Sequence, residues 1–131
     1  MAIRKFDPDN MPWSCSFICY GQPASKSNRR RFTKIDGKPR FVKSREANTF
    51  VRDFTLQCPL LDPLLVDDIV VAIEIYYGSR RPDLDEGIIL DAMQGRIYKN
   101  DRQVKEKHIY WNLDREHPRV EIRVAPLHLR S

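Results

Sequence analysis

The sequence predicts a small single domain of the α+β (mixed α/β) class. A length of 131 residues fits one domain, and a hydrophobic content of 41% is sufficient for one core. Residues Ile69–Tyr77 have the pattern of a buried strand, whereas the apolar residues after Ser44 recur at helical spacing. Strands and helices are therefore both expected within one short chain.

The first predicted element is a strand from Trp13 to Tyr20. Alternate residues from Trp13 to Cys19 are aromatic or cysteine and would share one face of that strand. Gly21 and Pro23 follow directly, and they predict that the strand ends there.

The next segment is strongly basic. Residues 24–45 contain nine Lys or Arg and one Asp. Asp36-Gly37, between two short β-prone runs, predicts a β-hairpin or a mobile loop. The charges are too crowded and too irregularly spaced to form one face of a folded element, so we expect a partly mobile arm at about residues 24–43. Its basic residues are Lys26, Arg29, Arg30, Arg31, Lys34, Lys38 and Arg40.

A helix is predicted to begin after Ser44, whose hydroxyl suits an N-cap, and to end near Cys58. A turn-rich connection over residues 62–68 leads to Ile69–Tyr77. This strand is apolar over most of both faces, so we expect it at the centre of a sheet. The apolar residues that define the predicted helix after Ser44 are Ala47, Phe50, Val51 and Phe54.

A second helix is predicted after the central strand. Asp83-x-x-Glu86 has the spacing of a helix N-terminus, and a helix from about Leu84 to Gln94 would stop at Gly95.

The remaining segments predict strands and turns. A short strand at Ile97-Tyr98 and a turn at Asn100-Asp101 should come first. The last two predicted strands, Gln103–Trp111 and Arg119–Val124, are separated by a turn-like segment.

Charge is segregated along the chain. Although the net charge is +5, residues 62–91 contain eight acids, and their basic residues are Arg80 and Arg81. Carboxylates hold Mg²⁺ and basic residues attract polyanions, and a nuclease or a polyphosphate enzyme requires both. The alternative is that these charges form ordinary solvated faces.

Four aspartates of this region are candidate metal ligands. Asp83 and Asp85 are two residues apart, so in an extended segment their carboxylates would point to the same side. Asp101 follows the predicted helix, and we expect the chain to return it to the same end of the sheet. Asp91 lies on that helix, and its direction depends on the helix register. The alternatives are helix capping for Asp83 and Glu86, and ordinary turn or solvated positions for the others.

The cysteines and histidines give no comparable signal. Three cysteines without C-x-x-C spacing indicate neither a disulfide framework nor a zinc site, and the three histidines lack ligand or triad spacing. No stretch approaches the roughly 18 apolar residues of a membrane-spanning helix, so we expect a soluble, cytoplasmic protein.

The acidic segment and its surroundings resemble a known family. RRPDLDE, LDAMQG and IYKNDRQV occur in the order and spacing of the RusA family of Holliday-junction resolvases. The family pattern runs roughly R-P-D-L-D-N, a helix carrying a lysine, L-D-A-L-x-G and Y-x-D-D-x-Q-V. The upstream GQPASKSNRRRF is similar to the family's Gly-x-Pro stretch, and the resemblance extends from about Phe17 to Val124.

The resemblance implies a mixed β-sheet packed with about two helices, in a homodimer that binds four-way DNA junctions. It implies symmetric paired cuts that require Mg²⁺, with Mn²⁺ as a substitute. The cuts would serve DNA recombination and repair at the nucleoid, and the origin of the protein, cellular or phage, stays open. Asp83, Asp85 and Asp101 match the family's metal-binding aspartates, and Asp91 matches its L-D-A aspartate, with a supporting role. The basic arm and Arg81 would contact the DNA.

The chain departs from the family at the helix lysine. Glu86 stands where the family usually has Asn, Asn100 stands where it usually has Asp, and EGII contains no lysine. That lysine would help to neutralise charge on the scissile phosphate, so another cation is expected nearby. Lys105 or Lys107 is favoured over Lys99, because a strand holds a side chain more firmly than a turn does.

Three functions from different classes remain open. The first is a Mg²⁺-dependent junction endonuclease. The second is a junction-binding protein of the same fold with weak or no cleavage, which the missing lysine favours. The third is an RNA-binding or ribosome-associated basic domain, for which the evidence is the charge together with Tyr76, Tyr77 and Trp111.

Overall fold

The computed structural model describes residues 6–24 and 30–130, without the side chains of Arg30, Arg31 and Phe41. Short 3-10 helices lie at Pro8–Asn10, Asp101–Gln103 and Leu127–Leu129. The longer elements, in chain order, are β1 (Cys15–Tyr20), β2 (Arg30–Ile35), β3 (Lys38–Lys43), α1 (Arg45–Gln57), β4 (Ile69–Tyr77), α2 (Gly87–Met93), β5 (Val104–Leu113) and β6 (Arg119–Pro126).

Four strands form the main sheet, in the order β1-β6-β4-β5. β4 pairs antiparallel with β6 and parallel with β5, so it has a neighbour on each side. All residues of β4 except Glu74 and Tyr76 are buried. The prediction of a central strand is therefore confirmed, and the fold is a single α+β domain with a mixed sheet and two helices.

Helices α1 and α2 pack on one face of this sheet. Ser44 Oγ accepts a hydrogen bond from the backbone N–H of Ala47 (3.1 Å), and this bond caps α1 as predicted. Phe54 of α1 and Ile89 of α2 are both buried in the core that these helices share with β4. The removal of these apolar side chains from water stabilises the packing of the helices on the sheet.

The N-terminal segment covers part of the opposite face. Phe6 and Met11 are buried against Val70 of β4. Trp13 packs on this cluster, and its indole Nε1–H donates to the carbonyl oxygen of Pro8 (2.6 Å). β4 is therefore covered on both faces, as its sequence predicts.

The basic arm forms a two-stranded hairpin, β2–β3, in a sheet of its own. Asp36 and Gly37 form the turn, with φ angles of 52° and 75°. The predicted hairpin is thus confirmed for residues 30–43, whereas the mobility of the arm stays a prediction. Lys34, Lys38 and Arg40 are exposed on its strands. The predicted arm residues Lys26 and Arg29 lie outside the described residues.

Two predictions of secondary structure are wrong. The second helix begins at Gly87 rather than at Leu84, and Asp83 does not cap it. Ile97-Tyr98 is not a strand of a sheet, because Tyr98 forms only isolated bridges. In the described part of the chain, no helix is both long and apolar enough to cross a membrane.

Candidate functional site

The loop of residues 78–86 leaves the end of β4 and carries two of the candidate aspartates. Two aromatic side chains from the sheet bind its backbone. Trp111 Nε1 donates to the carbonyl oxygen of Pro82 (3.0 Å), and the Tyr77 hydroxyl donates to the carbonyl oxygen of Asp83 (3.1 Å). The backbone N–H of Asp85 in turn donates to the Tyr77 hydroxyl (3.3 Å). The loop is therefore tied to β4 and β5 at consecutive points.

The charges of three acids act on the Tyr77 phenol, and we call these residues, Asp83, Asp85 and Glu86, the Tyr77 acid group. Asp83 is exposed, whereas Asp85 is 3% exposed and its Oδ1 accepts from the N–H of Gly87 (3.1 Å). Burial, with smaller contributions from the charges of the three acids, raises the pKa of Tyr77 to about 12. Tyr77 therefore stays neutral and remains a donor at neutral pH.

Lys107 of β5 is brought to this group. Its Nζ lies 3.0 Å from Oε1 of Glu86, and half of its side chain is exposed. Lys105 and Lys99 are also exposed, and no ion pair to the Tyr77 acid group is found for either in the described residues. Among the three lysines proposed to replace the missing helix lysine, Lys107 is thus the one with a direct contact to the group.

Asp101 opens a 3-10 helix just before β5 and is exposed. Its backbone N–H donates to Oε1 of Gln94, the residue that follows α2 (3.0 Å). Its side chain and that of Asp91 both raise the pKa of Tyr98, after the larger effect of burial. Asp91 and Asp101 therefore lie near one buried phenol, and we call them the Tyr98 acid group.

Gln103 fixes the turn that contains Asp101. Its Oε1 accepts from the N–H groups of Lys99 (3.0 Å) and Asn100 (2.9 Å). Its Nε2 donates to the carbonyl oxygens of Leu65 and Asp67, both at 2.9 Å. One amide side chain thus joins the turn to the connection between α1 and β4.

The parallel pairing of β4 and β5 decides where Asp101 lies. β5 begins beside Ile69, so Asp101 lies near the start of β4, whereas Asp83 and Asp85 are on the loop that leaves its end. A connection between adjacent parallel strands must run back along the strands before the second one begins. The loop also runs back along β5, because Glu86 contacts Lys107, which pairs with Val71 near the start of β4. The expectation that Asp101 returns to the same end of the sheet as Asp83 and Asp85 therefore stays a prediction.

The acids fit a divalent metal in part. Among residues 6–24 and 30–130, no three His, Cys, Asp or Glu side chains lie close enough together to hold a metal ion. The four candidate ligands, Asp83, Asp85, Asp91 and Asp101, therefore do not form one cluster within the chain. Mg²⁺, however, is commonly bound by one or two carboxylates, with waters and substrate phosphates as its other ligands. The hard oxygen donors of Asp83 and Asp85 fit that arrangement.

Sequence patterns missed Tyr77, Trp111 and Gln103 as parts of the site. Tyr77 and Trp111 act through hydrogen bonds to the backbone of a separate loop, and such bonds leave no spacing signal in the sequence. Gln103 had a signal that was not used, because Asn100-x-x-Gln103 has the spacing of a capping box. Tyr77 and Trp111 entered the sequence-based hypotheses only as support for RNA binding. Arg81, predicted to touch DNA, is exposed within the loop.

A comparison with protein-family models assigns the chain to a family. The model described as endodeoxyribonuclease RusA matches residues 21–125. The chain belongs to the RusA family. The RusA match includes the β2–β3 hairpin and both acid groups, and it identifies the chain as a member of a nuclease family that acts on branched DNA. The sequence-based resemblance to RusA is thereby confirmed. No curated protein sequence matches the chain.

Proposed function

We propose that the chain is a Mg²⁺-dependent endodeoxyribonuclease that resolves four-way DNA junctions by paired symmetric cuts, as a homodimer, in DNA recombination and repair. The observation that carries the proposal is the loop with Asp83 and Asp85, which lies inside the segment that matches the RusA family and beside a lysine of β5. The protein would then act at the nucleoid or on phage DNA. Mn²⁺ would substitute for Mg²⁺ in the reaction.

Each side chain of the site has a separate role in this proposal. Asp83 and Asp85 would hold the metal, with Asp101 as a further ligand and Asp91 in a supporting role. The bound metal stabilises charge on the attacking and leaving oxygens of the phosphodiester. Lys107 is half exposed, so a DNA phosphate can reach its ammonium group while the group stays anchored beside Glu86.

The exposed basic residues hold the DNA. Lys34, Lys38 and Arg40 are exposed on the hairpin, and Arg81 is exposed within the loop of residues 78–86, which we call the acid loop. These cations interact with phosphates and carry no sequence information by themselves. With Lys26, Arg29, Arg30 and Arg31, they form the proposed DNA-binding set.

A homodimer follows from the geometry of the substrate. A four-way junction has approximate twofold symmetry, and two opposed cuts require two active sites. One chain supplies one loop with Asp83 and Asp85, so two copies supply the pair.

The direct test is a binding and cleavage assay on matched substrates. A gel shift without metal compares a four-way junction, a duplex and a structured RNA, and Mg²⁺ is then added to the same complexes. We expect preference for the junction and two opposed cuts once Mg²⁺ is present. Preference for RNA would exclude the proposal.

Aspartate variants test the site itself. Asp83→Asn, Asp85→Asn and Asp101→Asn each remove a charged oxygen ligand while nearly preserving shape. We expect lost cleavage with junction binding kept or improved, because repulsion of the DNA also falls. Normal cleavage by all three variants would show that the site lies elsewhere.

A second candidate is a junction-binding protein with weak or no cleavage. The absence of a lysine from EGII favours it, as does the absence of a group of three potential metal ligands among the described residues. Tight junction binding without cuts in Mg²⁺ or Mn²⁺ would select this candidate.

A further inference from the structure

The segment that carries Asp83 and Asp85 has no regular secondary structure. Residues 81–86 belong to neither a helix nor a strand, so no backbone ladder fixes their conformation. Two neutral side chains hold the backbone of Pro82, Asp83 and Asp85 instead, through the three hydrogen bonds described above.

Those two side chains, Tyr77 and Trp111, stand on a rigid base. Tyr77 is 0% exposed at the end of β4, and Trp111 lies on β5 opposite Ile75 of β4. Their rings stack with centroids 5.7 Å apart and an angle of 29° between the planes. A movement of either ring would therefore disturb the other ring and the sheet.

Tyr77 and Trp111 hold the loop without neutralising its negative charge. A phenol and an indole bind backbone groups without carrying charge. A Lys or Arg in the same place would bind the same carbonyl oxygens but would also neutralise the carboxylates beside them. The Tyr77 hydroxyl also donates to Asp83 and accepts from Asp85, so one atom sets the path of the chain between the two aspartates.

We propose that Tyr77 and Trp111 are positioning residues that set the separation and direction of the Asp83 and Asp85 carboxylates for cleavage. This inference rests on the proposed nuclease function and adds two residues to it, neither of which needs to touch the DNA. Groups that orient metal-binding carboxylates in this way typically change metal affinity or activity by about 10- to 100-fold when they are removed.

Tyr77→Phe and Trp111→Phe test the proposal. The first removes one hydroxyl and keeps the ring, and the second removes an indole N–H that donates to a proline carbonyl. Trp13→Phe is the matched control, since Trp13 Nε1 donates to Pro8 in the same way on the opposite face of the sheet. All three variants should bind the junction without metal as the wild type does.

We expect single-turnover cleavage to fall by about 10- to 100-fold in the two loop variants, with a higher Mg²⁺ concentration at half-maximal rate and partial rescue at high Mg²⁺. The control should cut at the wild-type rate. Amide hydrogen exchange over residues 78–86 should be faster in the loop variants only. This second readout is independent of activity, and melting temperatures of all variants show whether each is folded.

The possible results separate the two proposals. A wild type that leaves the junction intact overturns the proposed function. The positioning role alone is overturned if the wild type cuts the junction and the loop variants behave as it does. They would then cut equally fast, and their amide hydrogens over residues 78–86 would exchange equally slowly. An equal loss of cleavage in Trp13→Phe also overturns it, because the effect would then be a general loss of stability.

Discussion

The contact between Lys107 and Glu86 gives a physical reason to rank the lysines of the site. Residues that alternate along β5 share a face, so Lys107, Ile109 and Trp111 lie under the acid loop. Lys107 therefore occupies the side of β5 on which Asp83 and Asp85 stand, and a strand limits its backbone motion.

Lys107→Met should slow single-turnover cleavage by on the order of tenfold to a hundredfold, because a cation that stabilises charge on the phosphate is lost. Junction affinity should change little. Lys105→Met and Lys99→Met are matched controls on the same strand and on the preceding turn. Equal small effects of all three substitutions would contradict the role of Lys107 and would favour a feeble or inactive enzyme.

Sequence reasoning at the scale of single residues found the acids but not their supports. Asp83, Asp85 and Asp101 stand out because carboxylates at a recognisable spacing suit a metal. Tyr77 stands among apolar neighbours, and its hydrogen bonds to the loop form only in the folded chain. Gln103 caps its own turn locally, but its bonds to Leu65 and Asp67 likewise form only in the folded chain. The arrangement of the two acid groups likewise depends on the parallel pairing of β4 and β5, which no local pattern specifies.

At the scale of elements, the β2–β3 hairpin concentrates exposed positive charge on a small two-stranded sheet. Lys38 and Arg40 occupy alternate positions of β3 and share one face, whereas Lys34 of β2 faces the other way. Each face of the hairpin therefore carries a cation that can contact a phosphate.

Simultaneous replacement of Lys34, Lys38 and Arg40 by Gln should weaken junction binding and flatten its dependence on salt. Each lost phosphate contact lowers the slope of log affinity against log salt by about 0.9. Gel shifts over a salt series measure this slope. A triple Gln variant at the exposed Arg52, Arg102 and Arg115 is the charge-matched control, and an equal change in slope there would argue against a specific role for the hairpin.

Elements with strong periodicity were predicted well, and elements set by tertiary contacts were not. α1 begins after its predicted cap, and its apolar stripe reflects one buried face. β4 is central, and its nearly continuous apolar run reflects two buried faces. The predicted start of α2 was wrong because Asp83-x-x-Glu86 has the spacing of a cap, whereas Tyr77 binds the backbone of Asp83 and Asp85 in an irregular segment before the helix. Local propensity is overridden where such contacts are strong.

At the scale of the whole molecule, one network joins both ends of the described chain to the edge strand β5. Phe6 stacks on His108 of β5, with ring centroids 3.8 Å apart, and Arg130 lies over the ring of Phe6. Glu106 binds both His108 and Arg130. The network covers part of the β5 face that points away from the acid loop.

The network predicts a pH dependence of stability. The hydrogen bond from Arg130, followed by that from His108, lowers the pKa of Glu106. A carboxyl with a lowered pKa in the folded state stabilises that state above its unfolded pKa of about 4.3, and the stabilisation is lost as the pH falls through the folded pKa. Glu106→Gln should therefore lower the free energy of unfolding at pH 7, by less than about 1 kcal/mol for so exposed a pair.

Urea unfolding of wild type and Glu106→Gln over a pH series checks this prediction. The difference between the two proteins should shrink as the pH falls below 4.3 and should vanish below the folded pKa of Glu106. A difference that stays constant at low pH would show that packing, rather than charge, explains the variant.

Paired cuts by a homodimer predict a specific behaviour of mixed subunits. A dimer of one wild-type and one Asp85→Asn subunit has a single working site, so it should nick a plasmid-borne cruciform instead of linearising it. Excess Asp85→Asn subunit should therefore shift the product from linear to nicked circles. Loss of both products in proportion, with no nicked circles, would contradict independent sites in a symmetric dimer.

The connection between β4 and β5 sets an order for the acquisition of activity during folding. Adjacent parallel strands cannot pair until the long connection between them has closed, and the entropy of that closure delays the step. The β2–β3 hairpin, by contrast, forms from neighbours in the sequence and is favoured early. We therefore expect a chain emerging from the ribosome, or one partly unfolded, to hold its phosphate-binding hairpin before its acid loop is in place, so that it binds DNA before it can cut it.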